Sequence, residues 1–586
     1  MSNNNSDDKN LDNKNKVINF NDNFKLPIYY NESKMRLNKN IVDDLELVNT
    51  IDENNKPILE YYFNSNNSLS KNILCQMSEY YTTDIKYLKD SQLLLQNYKN
   101  IQSDNSIVLS DYKNIVDIWN EIKNDTGFKE RYYYVDWPMW EFLNRSEQFL
   151  QIMSVFNMTS PIISLLLPII ILIIPFFVIK LKGLSITIEE YLKILKLIIS
   201  QHALGKLFTE FNNVENQQKM YLLISAGFYL FSFYQNILTC VRFNKNMYKI
   251  HNDLKEVEIY LDYTINNIDN FLIYADKLES YNRFCEILKE KKCKLVEFKY
   301  KLNRITEYKL SYKKLFEIGN VLKYFYELYD DKIYEDAILY SFGFNAYIDN
   351  INGLINNIDN KKINFTQFTN KKKNNVFKNS YYAILKDKEH VKNTIKLNKN
   401  IIVTGPNASG KTTLLKSTLI NIILTQQFGC GFYDMAKLYP YKYIHCYLNI
   451  PDTSGRDSLF QAEARRCKNI LDIVDFNKKE THFCAFDELY SGTNPEEAEI
   501  SATAFMEYLV KNKNISCILT THFIKVCNKL NKNKHIINCH MDALKENNKI
   551  IYGYKLKNGI SNLKGGVHIL SQMNYPKEIL EKTFNS

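Results

Sequence analysis

Apolar positions along this 586-residue chain change their spacing several times, and each change marks a boundary. Residues 1–40 are rich in Asn, Lys and Asp with few periodic apolar positions, too few to offset the entropy of ordering, so a disordered tail is expected there. Over 41–147 apolar residues recur at helical spacing through Ile73, Met77, Tyr80 and Leu88, and the stretch ends in an aromatic cluster at Tyr132, Tyr133, Tyr134, Trp137 and Trp140. This predicts a helical N-terminal domain. Residues 244–375 carry long charged helical patterns with no Gly or Pro for about seventy residues, the mark of a helical core and lever. From 376 to 586 short apolar runs alternate with helix-period stretches, which predicts an α/β domain after mainly α-helical ones.

The stretch 148–243 differs in kind. From Gln148 to Ile179 there are 32 consecutive residues without a charge, and Pro161 to Ile179 is almost wholly aliphatic or aromatic. As a helix those last 19 residues span about 28 Å, close to the hydrocarbon thickness of a bilayer. A second uncharged run, Met220 to Val241, follows a charged amphipathic segment from Lys180 to Lys219. Two such spans predict a membrane hairpin, with membrane association through 148–179 and 220–241 and the α/β domain facing the cytosol. The competing reading is a buried helix pair in a large core, because Pro168 and Pro175 would kink a span and Gln235 and Asn236 dilute the second run.

Composition narrows the class. Hydrophobic residues make up 45% and charged residues 24%, which excludes wholesale disorder and an all-membrane channel. Only 17 Gly and 11 Pro leave few residues for tight turns, so helix should dominate. A net charge of +10 and a pI near 8.7 fall short of a dedicated nucleic-acid domain while allowing contact with phosphate backbones. The 11 cysteines lie between Cys75 and Cys539 with no C-x-x-C pair and no zinc-like spacing, so free thiols in a reducing intracellular compartment are expected. The N-terminal MSNNNSDDKNLDNKNK has no apolar core, so no secretory signal is expected.

Chemistry enters at residue 400. An apolar strand, Asn400 to Val403, leads into GPNASGKTT, in which Gly405, Gly410, Lys411 and Thr412 fit G-x-x-x-x-G-K-[ST], and an apolar-periodic helix follows. This is the P-loop pattern in its proper setting, and it makes Gly405, Pro406, Asn407, Ala408, Ser409, Gly410, Lys411, Thr412 and Thr413 the candidate ATP-binding residues. Glycines let successive N–H groups face phosphates, Lys411 reaches the β and γ phosphates, and the Thr412 hydroxyl serves Mg²⁺. Seventy-five residues on, HFCAFDE is a short buried strand ending in paired carboxylates: Asp487 for the Mg²⁺ shell and Glu488 to polarise the attacking water. A third apolar strand, Ile515 to Thr520, ends at Thr521 and His522, a residue placed to sense the γ-phosphate.

Taken together, GPNASGKTT, SGRDSLFQAEARRCKNIL, DELYSGTNPEEAEISATAFMEYL, ILTTHF and the trailing YKLKNGISNLKGGVHIL resemble, in order and spacing, the ATPase domain of the MutS family. The resemblance covers about residues 377–584. It implies ATP and Mg²⁺ as cofactors, DNA as a partner, and a homodimer or MutS-like heterodimer in which Ser458 reaches the γ-phosphate of the opposite subunit. It also implies a base-stacking position, held here by His390 where the family has an aromatic residue. The family's Phe-x-Glu mismatch reader has only Phe128-Lys129-Glu130 as a counterpart, outside the usual Gly-Phe-Tyr-Glu setting.

Three functions fit to different degrees. The favoured one is a MutS-like ATPase acting as a dimeric DNA clamp in mismatch repair or a related recombination or replication role. A second is a membrane-tethered ATPase acting on a protein or membrane partner without DNA. The third, an ABC-type transporter ATPase, should show an LSGGQ signature before the paired carboxylates, where this chain has SGRDSLFQAE.

Overall fold

From residue 228 to 318 the chain has neither Gly nor Pro, so nothing of that kind interrupts the hydrogen-bond ladder after Gly227 in the 60-residue helix Asn216–Ala275. The computed structural model describes residues 18–52, 54–99, 112–183, 187–199, 211, 215–309, 314, 316–448, 458–546, 549–563 and 575–576. Its longer helices are α1 (Ile85–Asn97), α2 (Lys113–Asn124), α3 (Glu147–Leu181), α4 (Ile188–Ile199), α5 (Asn216–Ala275), α6 (Asn282–Leu302), α7 (Ile318–Asp330), α8 (Lys332–Asp359), α9 (Lys411–Phe428), α10 (Leu459–Phe476) and α11 (Pro495–Leu509). The chain forms two compact units: residues 1–18, 112–265 and 292–338 make one, and residues 19–111, 266–291 and 339–586 make the other.

The first unit is helical. Its aromatic centre joins Phe128, Tyr132 and Tyr134 to Phe325 and Tyr329, with Phe128 stacked on Tyr329 at 4.2 Å between ring centroids. Helix α7 approaches the start of α3 so closely that a Cβ on Gly319 would lie 2.6 Å from the Glu147 carbonyl oxygen, and the Gly319 N–H donates to Gln151 Oε1 at 2.9 Å. The Phe128-Lys129-Glu130 segment is thereby accounted for: Phe128 is 1% exposed and packs in the aromatic centre, so it is a core residue and offers no wedge to a base stack.

The second unit holds a two-stranded ribbon and two larger sheets. Strands β1 (Lys34–Arg36) and β2 (Tyr80–Thr82) form a small ribbon, and β3 (Asn364–Phe368), β4 (Val376–Ser380), β5 (Asn393–Lys396), β7 (Cys430–Gly431) and β8 (Met435–Leu438) form a five-stranded sheet in the order β5-β4-β8-β3-β7. The larger sheet uses β6 (Asn400–Thr404), β9 (Tyr443–Tyr447), β10 (His482–Asp487), β11 (Ile515–Thr520), β12 (Ile536–Glu546) and β13 (Lys549–Asn558), in the order β13-β12-β6-β11-β10-β9. Strands β12, β6, β11, β10 and β9 run parallel and only the edge strand β13 is antiparallel. Burial on both faces explains why β6 and β11 read as unbroken buried runs where an alternating strand would show a polar face.

Two expectations change here. The tail expected over 1–40 ends early: residues 1–17 lie outside the described ones, but from Ile18 the chain packs, with Phe20 and Phe24 fully buried. Two phenylalanines and Leu26 supply enough apolar surface to overcome the polar composition around them. The segment 19–99 also belongs to the unit that carries the α/β domain. Gln426 of α9 donates to the Thr82 carbonyl, Gln427 donates to the carbonyls of Met77 and Tyr80, and the Tyr62 hydroxyl donates to the Cys430 carbonyl at 3.2 Å. Helix α8 passes the same segment at Gly353, where a Cβ would sit 1.7 Å from the Phe63 carbonyl oxygen.

Candidate active site

Ligands of open parallel sheets bind at the carboxyl ends of the strands. Here β6 and β11 are neighbours, β11 and β10 are neighbours, and Thr520 pairs in register with both Val403 and Asp487. This order sets the end of β11 between the loop after β6 and the carboxylates after β10, which is why His522 meets residues of both.

The loop after β6 turns on positive φ values at Gly405 (151°), Ala408 (62°) and Gly410 (90°). A Cβ on Gly405 would come within 2.8 Å of Ser409 Oγ, so the tight curl requires glycine. Helix α9 then starts at Lys411, with first-turn N–H groups that have no intrahelical acceptor. Ser409 is fully buried, and its hydroxyl has no hydrogen-bond partner among the described residues.

Lys411 is 6% exposed, and its Nζ donates to the carbonyls of Gly405 (3.1 Å) and Pro406 (3.2 Å). Burial pulls its pKa below the usual lysine range, against the pull of Glu488 and Asp487. The same Nζ lies 3.1 Å from His522 Nε2, which in turn lies 2.9 Å from Glu488 Oε1. The hydrogen bond to His522 holds the Glu488 carboxyl below its ordinary pKa, opposed by burial and aided by the charge of Lys411. Glu488 has φ of 50°, a left-handed conformation rare outside glycine, and its N–H donates to the Thr520 carbonyl at 3.0 Å. Asp487 accepts from Thr412 Oγ1 at 2.9 Å and from the Thr520 hydroxyl.

Above this floor opens a cavity of about 840 Å³. Asn407 to Thr413 and Glu488 line one side, and Tyr381, His390, Met541 and Tyr554 line others. The His390 ring stacks on Tyr381 at 4.2 Å between centroids, and its Nε2 has no hydrogen-bond partner among the described residues. Ser458 stands apart. It is exposed, it caps α10 by accepting from the Gln461 N–H at 3.3 Å while Gln461 Oε1 accepts from its own N–H at 3.0 Å, and it is not among the residues lining the cavity.

Residues 401–586 match the family description MutS domain V. Over these residues the chain is similar to the MutS family. The DNA mismatch repair protein MutS of Persephonella marina is 26% identical over 213 residues, 35% of this chain and 24% of that protein. Those of Listeria welshimeri and Listeria monocytogenes are 27% identical over 198 residues and 28% over 199, each covering 33% of this chain and 22% of the relative. The chain spans about a quarter of the length of the curated relatives it matches.

Several residues around the cavity escaped the motif reading. Thr520, Tyr381, Met541 and Tyr554 bear no local signature, because strand pairing or an edge hairpin brings them to the cavity. Glu463 is the least expected. It is 2% exposed on α10, and its carboxylate accepts from the Ser491 N–H (3.1 Å), the Ser491 hydroxyl (2.9 Å) and the Gly492 N–H (3.1 Å), in the loop after Glu488.

Proposed function

We propose that this chain is a Mg²⁺-dependent ATPase that works as a dimeric clamp on DNA, in mismatch repair or a related recombination or replication role. The observation that carries the reading is the convergence of Lys411, His522 and Glu488 beside the Thr412–Asp487 pair, with Lys411, Thr412 and Glu488 lining one cavity. The residues fit a nucleotide triphosphate. The unpartnered Ser409 hydroxyl, a loop curl that a Cβ at Gly405 would fill, and a helix N-terminus all suit an anion. Thr412 and Asp487 supply the hard oxygens that Mg²⁺ takes beside phosphate, and bound there it would offset charge on the β and γ phosphates. Lys411 then leaves the loop carbonyls to neutralise phosphate oxygens, and Glu488, ionised at neutral pH, orients and deprotonates water. His390 and Tyr381 offer ring faces for the base. Ser458, exposed and away from its own cavity, is available to a second copy, which supports composite sites in a homodimer or a MutS-like heterodimer. The DNA partner rests on the names of the relatives, and the free state of all 11 cysteines accords with an intracellular, reducing location.

Two measurements on the purified full chain test this reading. ATP turnover should require Mg²⁺, and filter binding to homoduplex, mismatched and branched DNA should change with ATP. Turnover without binding to any DNA would leave the ATPase standing and remove the clamp; no turnover would remove both.

A further inference from the structure

Helices α3 and α5 form an antiparallel pair within the helical unit: Tyr229 of α5 meets Ser164 of α3, and Cys240 meets Met158. The pair is inside-out. Ser154, Asn157 and Ser160 are buried, while Ile152, Ile162, Leu165, Phe177, Phe228 and Phe231 are 53–70% exposed apart from the more exposed cluster at its foot. A soluble helix pair does the opposite, burying its apolar stripe and wetting its polar one. The competing expectation of a buried core pair is therefore not what the structure holds.

Two proline gaps in the pair are filled without water. Pro161 and Pro168 have no N–H, so the carbonyls of Asn157 and Ser164, four residues back, lose their helical donors. The Ser160 hydroxyl donates to the Asn157 carbonyl at 3.4 Å, and the Tyr229 hydroxyl of the other helix donates to the Ser164 carbonyl at 3.1 Å. Hydroxyls of Ser154, Thr159 and Thr239 fold back onto their own helices in the same way. Such internal repair of proline gaps is what a medium that offers no hydrogen bonds demands. The shared uncharged length is that of the shorter run, 22 residues or about 33 Å of helix, which matches a hydrocarbon core of about 30 Å. At the foot of α3, Trp137, Met139 and Phe142 are 63–72% exposed and Trp140 is 44% exposed, as an interfacial aromatic belt would be. At the far end lies α4, an amphipathic helix with Leu192 and Leu197 exposed beside Glu189, Lys193 and Lys196.

We infer that α3 and the first part of α5 are a two-span hairpin whose occupied surface is the acyl-chain region of a phospholipid bilayer, with Trp137 and Trp140 at its headgroup boundary. The chain before α3 and the chain after Val241 then leave the bilayer on one face, the cytosolic face, where a nucleotide site would find ATP.

The protein carries its own probe, because its three tryptophans are the buried Trp119 and the exposed Trp137 and Trp140. Full chain purified in detergent and reconstituted into phosphatidylcholine vesicles should float with them and resist carbonate extraction. Lipids brominated near the carbonyl should quench its fluorescence at least twofold more than lipids brominated deep in the chain, and W137F/W140F should lose most of that quenching. Leu165→Arg with Phe231→Arg should cut the vesicle-bound fraction at least tenfold. A full chain that is monodisperse without detergent, or that hides this surface in a soluble oligomer, overturns the inference, as does quenching that ignores bromine depth or flotation that ignores the two arginines.

Discussion

His522 and Glu488 are joined through a single ring nitrogen, Nε2 of His522 lying 2.9 Å from Oε1 of the carboxylate. That nitrogen is also 3.1 Å from Lys411 Nζ, and it cannot serve both. With a proton it donates to Glu488; without one it accepts from Lys411. Withdrawing Lys411 toward phosphate thus commits the ring to Glu488.

A pH dependence follows with a definite sign. The contact with His522, then the charge of Lys411, depress the Glu488 pKa, so the carboxylate stays ionised as pH falls through the ordinary glutamate range. The stability this contact gives is present above that range and is lost as pH falls through the depressed value. The acid limb of single-turnover ATP hydrolysis should therefore lie below the ordinary glutamate range in the wild type. His522→Asn should move that limb upward. An acid limb that stays put in the variant would show that His522 does not govern Glu488.

Glu488→Gln keeps the shape of the side chain and removes its basicity. Nucleotide affinity should hold within a few-fold, while hydrolysis should fall on the order of 10² to 10⁴. Equilibrium binding of a fluorescent ATP analogue alongside phosphate release separates the two, and near-normal turnover would assign the base elsewhere.

Lys411→Ala removes the one ammonium bonded to the loop carbonyls of Gly405 and Pro406. ATP turnover should drop by about 10² or more with the far-ultraviolet circular dichroism unchanged. Retained turnover in a folded variant would contradict the assignment of the loop.

Mixed populations test the composite site. Ser458→Ala and Lys411→Ala chains should each be inactive alone, and mixing should restore activity through heterodimers that keep one intact site. Activity that never exceeds the average of the two separate samples would place both residues in one chain's own site.

The strand, loop and helix around Gly405–Thr413 and the Asp487–Glu488 pair at a strand end were legible because each is a contiguous string set by local backbone form. His522 was legible from its place at a strand end. Tyr381 and Tyr554 were not, since only the pairing of β4 with β8, and of the β12–β13 hairpin with β6, brings them to the cavity. The reach of residues 19–99 into the α/β unit was equally hidden: the bonds from Gln426 and Gln427 span more than 340 positions and leave no periodic trace. The two apolar runs were visible as runs, but their inside-out arrangement needed coordinates.

Gly353 offers a test of that hidden contact. In a free helix Gly→Ala stabilises by roughly 1 kcal/mol. Here the added Cβ would meet the Phe63 carbonyl oxygen at 1.7 Å, and backbone cannot swing aside as a side chain can. Gly353→Ala should destabilise by about 3 kcal/mol or more, read as a lower midpoint in urea. A raised midpoint would mean that α8 and the Phe63 turn do not touch.

Glu463 ties the first turns of α10 to the Ser491–Gly492 backbone, so Ser458 at one end of the tie and Glu488 near the other form one stiff piece. In a dimer built as proposed, that piece serves two masters: Glu488 acts on its own nucleotide while Ser458 addresses its neighbour's. A shift that readies one site then tugs on the other, which favours turns taken in sequence over simultaneous firing and lets each half keep time for its twin.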